Sequence, residues 1–183
     1  MPFSITQGSL LLRAWEEADA EQLAQAIGEN IDHLRPFMPW IAQEPMSADA
    51  RRTLIAKWAS DAAGGGDEVC GVFLDGLIAG GSGLHHRLGP GGLEIGYWVH
   101  KNYVRRGIAT TAARLLTDSA FARPGIDRVE IHHDVANVAS SGVPMALGYT
   151  LIGTEPRPAQ APAETGVHCI WRITRAEWAA SGP

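Results

Sequence analysis

Arg105, Arg106 and Gly107 stand at the start of a stretch, YVRRGIATTAARLL (Tyr103 to Leu116), whose later residues predict a helix. The first N–H groups of a helix have no partner within it, and that end carries a partial positive charge. An anion placed there is held by donors and dipole together. Gly107 has no Cβ to keep a phosphate away from the backbone. Arg105 and Arg106 add charge-assisted donors. A pyrophosphate fits these properties; so does the plainer reading of two solvated arginines beside a glycine that relieves a turn.

Glu94 is the second residue of interest. It lies in LEIGYWVH (93–100), which predicts a strand with Leu93, Ile95, Tyr97 and Val99 on one face and Glu94, Gly96, Trp98 and His100 on the other. A sheet covered on both faces would leave Glu94 partly desolvated, and desolvation raises a carboxyl pKa toward the range useful to a base. A structural carboxylate bonded to nearby backbone is the alternative. The pairs His85–His86 and His132–His133 suggest a metal site, but neighbours on a strand point to opposite faces and cannot chelate as a pair. No metal is expected. Cys70 and Cys169 lack metal-type spacing and read as reduced thiols.

These residues need a scaffold. The 183 residues, 45% of them hydrophobic, suffice for one compact domain spanning 1–183. The net charge of −5 argues against a nucleic-acid partner, which needs a basic face. No apolar run is long enough to span a bilayer, and MPFSITQGSLLLRAWEE lacks the basic region of a signal peptide. A cytoplasmic protein without a membrane partner is expected. SLLLRAW (9–15) predicts a first strand, followed by a helix carrying Leu23 and Ile27. HLRPFMPWI, broken twice by proline, predicts a short helix or loop. A helix from Ser47 to Ala63 is capped by Ser47 and stopped by Gly64–Gly66. EVCGVFLD and LIAGGSGLHH flank a hairpin turn at Asp75–Gly76. After LEIGYWVH come the helix already noted, the strand DRVEIHHDV, an irregular helix in NVASSGVPMALG, two closing strands and a short terminal helix capped by Thr174. The pattern is a mixed α/β domain around one sheet.

LEIGYWVHKNYVRRGIATTAARLLTDSAF followed by RVEIHHDVANVASSGVPMALGY resembles the GNAT superfamily of acyl-CoA-dependent N-acyltransferases. Together with HLRPFMPW it is most similar to the ribosomal-protein N-terminal acetyltransferase (RimJ/RimL-like) branch. The resemblance implies a twisted, mostly antiparallel sheet of six to seven strands, helices on both faces and a splayed parallel pair formed by LEIGYWVH and RVEIHHDV. It implies an enzyme that moves an acetyl group from acetyl-CoA to an amine by direct attack. The family's phosphate motif, Gln/Arg-x-x-Gly-x-Gly/Ala, is met here by Val104 to Ala109, with Val in its first position. The cofactor site then comprises Arg105, Arg106, Gly107, Ile108, Ala109 and Thr110, with Trp98, Val99 and His100 along the pantetheine arm and Asn137 and Ser140 from the Asn-x-x-Ser motif.

Under the same resemblance Glu94 is the base and Ser140 the donor to the leaving thiolate. Many relatives place a tyrosine four residues after that serine, where this chain has Pro144, so the role passes to Ser140 or to Ser141. His100, His132 and His133 are spare proton acceptors. Phe37, Trp40, Glu94 and Asp134 are expected to meet the acceptor amine, in a pocket made acidic by Glu44 and Asp49 as well. The acceptor is a protein or peptide α-amino group. A small amine, a succinyl donor or a non-catalytic acyl-CoA-binding module are the alternatives. Aromatic residues near the N-terminus allow a homodimer.

Overall fold

The computed structural model describes residues 3–182. Its strands are β1 (Ser4–Gln7), β2 (Leu10–Ala14), β3 (Glu68–Leu74), β4 (Leu77–His85), β5 (Gly92–Val99), β6 (Arg128–Asp134), β7 (Thr150–Pro156) and β8 (Val167–Thr174). They form one sheet in the order β1-β2-β3-β4-β5-β6-β8-β7. The count is eight, not six to seven. The difference lies partly at the N-terminus, where Ser4–Gln7 pairs antiparallel with β2. Its burial is slight, so it carries no apolar alternation to read.

Helices α1 (Ala20–Gly28), α2 (Ile31–Leu34) and α3 (Ala48–Ala63) precede β3; α4 (Ile108–Phe121) joins β5 to β6; α5 (Val138–Ala146) follows β6; α6 (Arg175–Ser181) ends the described chain. Ser47 caps α3, its hydroxyl accepting from Ala50 N–H at 3.2 Å. Asp75 and Gly76 turn β3 into β4 with φ of 50° and 80°, the two left-handed residues of a tight hairpin.

The sheet is covered on both faces. Leu93, Ile95, Val129 and Ile131 pack with Leu116 and the small residues Ala112 and Ala113 of α4. On the other face, Phe73 and Ile78 pack with Leu23 and Ile27 of α1 and Ile55 of α3. Each large side chain buried this way is worth about 1.5–3 kcal/mol. Close packing at β4 depends on glycine: a Cβ on Gly81 would lie 2.5 Å from the Trp98 indole nitrogen.

All strand pairs are antiparallel except β5 with β6. That parallel pairing covers only Gly92↔Arg128, Leu93↔Val129 and Glu94↔Glu130. Beyond it both strands continue, β5 paired with β4 and β6 with β8. The sheet is therefore split from Glu94 and Glu130 onward. Among the described residues, no helix is long and apolar enough to cross a membrane.

Candidate active site

The split opens a cleft of about 570 Å³. Side chains from both faces of β5 reach it, Ile95 and Tyr97 from one and Glu94 and Trp98 from the other, because the sheet is not closed there. Phe37, Trp40, Asp134, Asn137 and Ser140 line the same cleft. Seven expected site residues from four segments are thus brought together.

The backbone of β5 beyond Glu94 has one edge on β4 and the other on the split. His100 N–H donates to the Ala79 carbonyl at 2.9 Å, and the Gly96 carbonyl accepts from Ser82 Oγ at 2.7 Å. Even-numbered residues therefore turn their backbone groups to β4, and alternation leaves those of Ile95, Tyr97 and Val99 on the split. Of Trp98, Val99 and His100, only Val99 keeps main-chain groups for a ligand in the split. His100 is further committed by its ring, whose Nδ1 accepts from Asn102 N–H at 3.2 Å and which packs edge-on to Tyr103.

Gly107 caps α4 with φ of 73°, a left-handed conformation that glycine adopts without strain. The first backbone bond into α4 runs from Thr111 N–H to the Gly107 carbonyl, so the N–H groups of Ile108, Ala109 and Thr110 precede any helical acceptor. A Cβ on Gly107 would meet nothing within 4 Å, so the space over this turn is open. Arg105, also at positive φ, and Arg106 have no acidic partner within 4.0 Å among the described residues. Arg106 lies over the Tyr103 ring at 5.5 Å. Two unpaired guanidinium groups beside free helix N–H groups fit a diphosphate.

Glu94 is 8% exposed. Arg87 Nη1 stands 3.4 Å from one carboxylate oxygen and His132 Nδ1 3.7 Å from the other. His132 Nδ1 lies 3.0 Å from Arg157 Nη2, and a guanidinium only donates. The ring hydrogen is then on Nε2, donated to Glu130 at 2.6 Å. His133 is differently engaged: its Nδ1 donates to the Asp134 carbonyl and its Nε2 accepts from Trp171. Burial lowers its pKa and favours this neutral form. Opposite Glu94 on β4 is His85, whose Nδ1 is 2.7 Å from Asp67.

Ser140 Oγ lies 3.0 Å from the Tyr97 hydroxyl. Ser141 Oγ donates to the Val138 carbonyl at 2.7 Å within its own helix, while Ser140 lines the cleft, so Ser140 is the serine that faces it. Asn137 caps α5, its side chain accepting from Ser140 N–H at 3.4 Å. Strand alternation had placed Tyr97 on the apolar face; nothing local in the sequence pointed to its partner 43 residues on. Burial pushes the Tyr97 hydroxyl up to about 12, against a smaller opposing effect of the Ser140 bond.

Two expectations about charge are corrected. Asp134 lines the cleft, but its carboxylate accepts from Ala136 N–H, Thr165 N–H and Oγ1, and Gly166 N–H. Burial alone would raise its pKa; these bonds outweigh it and bring it down to about 2. It pins the segment before β8 to the end of β6 and has no free oxygen to offer an amine. The pocket is not generally acidic either. Glu44 pairs with Arg51, both buried, and Asp49 is exposed against Arg52. Of the acids expected there, Glu94 has the longest contacts, Arg87 at 3.4 Å and His132 at 3.7 Å.

Over residues 9–150 the chain matches the family described as an acetyltransferase (GNAT) domain. A protein of Bacillus subtilis (strain 168), YdaF, provisionally named as a ribosomal N-acetyltransferase, is 34% identical over 142 residues, 76% of this chain and 77% of that one. A crystal structure named as that of a probable acetyltransferase is 30% identical, covers 96% of this chain and 99% of its own, and superposes with a TM-score of 0.88. The ribosomal L7/L12 α-N-protein acetyltransferase RimL, solved with coenzyme A, shares the fold with a TM-score of 0.85 at 22% identity, over 94% and 98% of the two chains.

Proposed function

The chain belongs to the acetyltransferase (GNAT) family, and from that premise we propose that residues 1–183 act as one domain that moves an acetyl group from acetyl-CoA to a protein or peptide N-terminal α-amino group. The observation that carries this is the coincidence of two features on consecutive elements: a split sheet edge at β5 and an open, glycine-capped helix start at α4. The N–H groups of Ile108 to Thr110, with Arg105 and Arg106, hold the diphosphate. The free edge at Val99 pairs with the pantetheine arm. When bound, acetyl-CoA supplies the acetyl group as a thioester. The α-N-protein activity named for RimL supports an N-terminal acceptor, and the provisional ribosomal naming of YdaF supports a protein one.

Within this reading Glu94, in the split, meets the amine and takes the proton its nitrogen sheds as the new bond forms. Ser140, backed by the Tyr97 hydroxyl, donates toward the departing sulfur. Phe37 and Trp40 wall the acceptor side of the cleft, and Trp40 lies 6.1 Å from Trp98 between ring centroids. A homodimer and a cytoplasmic location belong to the same proposal. Leu151 and Ile152, exposed on the edge strand β7, support the first; two free cysteines, Cys70 and Cys169, support the second.

Thiol release from acetyl-CoA in the presence of a panel of N-terminal peptides and small amines tests the assignment. Turnover on peptides, lowered by about 100-fold or more in Glu94→Gln, is expected. Tight coenzyme binding without turnover on any acceptor would make the chain a binding module instead.

A further inference from the structure

His85 is not used in the chemistry above, yet it is built like a base. Its Nδ1 lies 2.7 Å from Asp67 Oδ2, and a carboxylate can only accept, so the ring hydrogen is on Nδ1. The 3.2 Å approach of Arg87 to the same Nδ1 is then not a hydrogen bond; Arg87 also stands 3.7 Å from Asp67. The other Asp67 oxygen accepts from His86 N–H at 2.8 Å, which fixes the carboxylate. Burial raises the Asp67 pKa, but the bonds from His85 and His86 outweigh it and keep the group charged. Among the described residues nothing bonds to Nε2, which is left with a free lone pair.

That lone pair is at the split. His85 is the cross-strand partner of Glu94, so both side chains share one face. A Cβ on Gly96, two residues past the last β5–β6 pair, would lie 3.3 Å from His85 Nε2, as would one on Gly83. Glycine at both positions leaves room for the ring. The His85 side chain is 15% exposed and Asp67 37%, against 11% for Glu94. The charged and titratable groups around the ring are Asp67 before β3, Arg87 after β4 and Glu94 on β5, with His132 of β6 beyond Glu94.

The reaction proposed above has two protons to remove from the acceptor nitrogen: one from the ammonium before attack, one as the amide forms. One carboxylate cannot hold both at once. We propose that His85, oriented by Asp67, takes the first proton from the incoming ammonium and passes it to solvent, while Glu94, deeper in the split, takes the second. One proton then ends on the thiol and one in water, and no oxidant or further reactant is needed. Asp67 is a positioning residue. This inference rests on the acetyltransferase reading of the same cleft.

The test is the pH profile of kcat/KM for the full chain on the peptide panel, with acetyl-CoA binding and thermal melting as controls. The wild type shows an acidic limb in that profile. His85→Gln loses that limb and falls about 100-fold in kcat, with acetyl-CoA affinity unchanged. Asp67→Asn moves the limb to lower pH, because the carboxylate no longer stabilises the imidazolium. Imidazole added to His85→Ala restores part of the rate. Independently of turnover, 15N NMR of the free protein shows His85 with its hydrogen on Nδ1. A wild-type profile without the limb, a hydrogen on Nε2, or a His85→Gln protein with wild-type rate and profile overturns the proposal. Should His85→Gln fail to melt cooperatively, the Asp67→Asn shift and the NMR tautomer decide it. A wild type inactive on every acceptor would sink instead the reading on which it rests.

Discussion

The Tyr97 hydroxyl stands 3.0 Å from Ser140 Oγ and 3.0 Å from the Ser140 carbonyl, joining β5 to α5 across the open side of the sheet. A serine alone is a poor proton donor. One backed by a buried phenol can be resupplied with a proton after it gives one up.

Ser140→Ala should lower kcat by about 10–100-fold with little change in the KM for acetyl-CoA. Tyr97→Phe should act through the same step, so the double variant should be barely slower than Ser140→Ala. With its pKa held near 12 by burial, Tyr97 stays protonated over any ordinary assay range and adds no basic limb to the profile. Additive losses measured in steady-state kinetics would separate the two residues.

Gly107 combines a left-handed φ with open space, and substitutions can tell these apart. Gly107→Ala costs about 1 kcal/mol of stability from the backbone alone. Asn tolerates that conformation better, so Gly107→Asn should melt closer to the wild type yet still raise the KM for acetyl-CoA. The double variant Arg105→Ala/Arg106→Ala should raise that KM and flatten its dependence on salt. A wild-type KM in Gly107→Asn would move the diphosphate elsewhere.

Glu44 and Arg51 form a buried ion pair, with side chains 2% and 3% exposed, and Arg51 Nε has no hydrogen-bond partner among the described residues. Removing one charge strands the other. Glu44→Gln should therefore cost about 3–5 kcal/mol in denaturant unfolding, and Glu44→Gln/Arg51→Met should recover most of it.

Asp134 sets an acid-side stability window. Its folded pKa, about 2, is below its ordinary value of 3.8, so it adds stability above pH 3.8 that is lost as pH falls toward 2. Asp134→Asn should melt below the wild type at neutral pH, and the gap should close on acidification across that window. Melting curves at stepped pH measure it; a constant gap would assign the effect to shape and not to charge.

Much of this was legible in the chain. Ser47, Asp75–Gly76 and Thr174 act as the caps and turn their residue types predict, since each works through bonds to backbone within three residues. The burial of Glu94 was legible from strand alternation. Asp134 was misjudged because four of its five bonds to other residues go to a loop 31 or 32 residues away. A carboxylate's partners at that range leave no local trace.

The amino-acid order by itself determined where most of the helices and strands lie, which faces are apolar, and that a glycine with two arginines opens α4; these follow from backbone sterics and periodicity within a few residues. Only the tertiary structure decided that β5 and β6 part after Glu94 and Glu130, and which backbone groups that exposes. It alone paired Tyr97 with Ser140 and Asp67 with His85. A hydrogen bond needs two atoms within about 3 Å, and for residues far apart in the chain that distance is set by how the whole sheet packs against its helices.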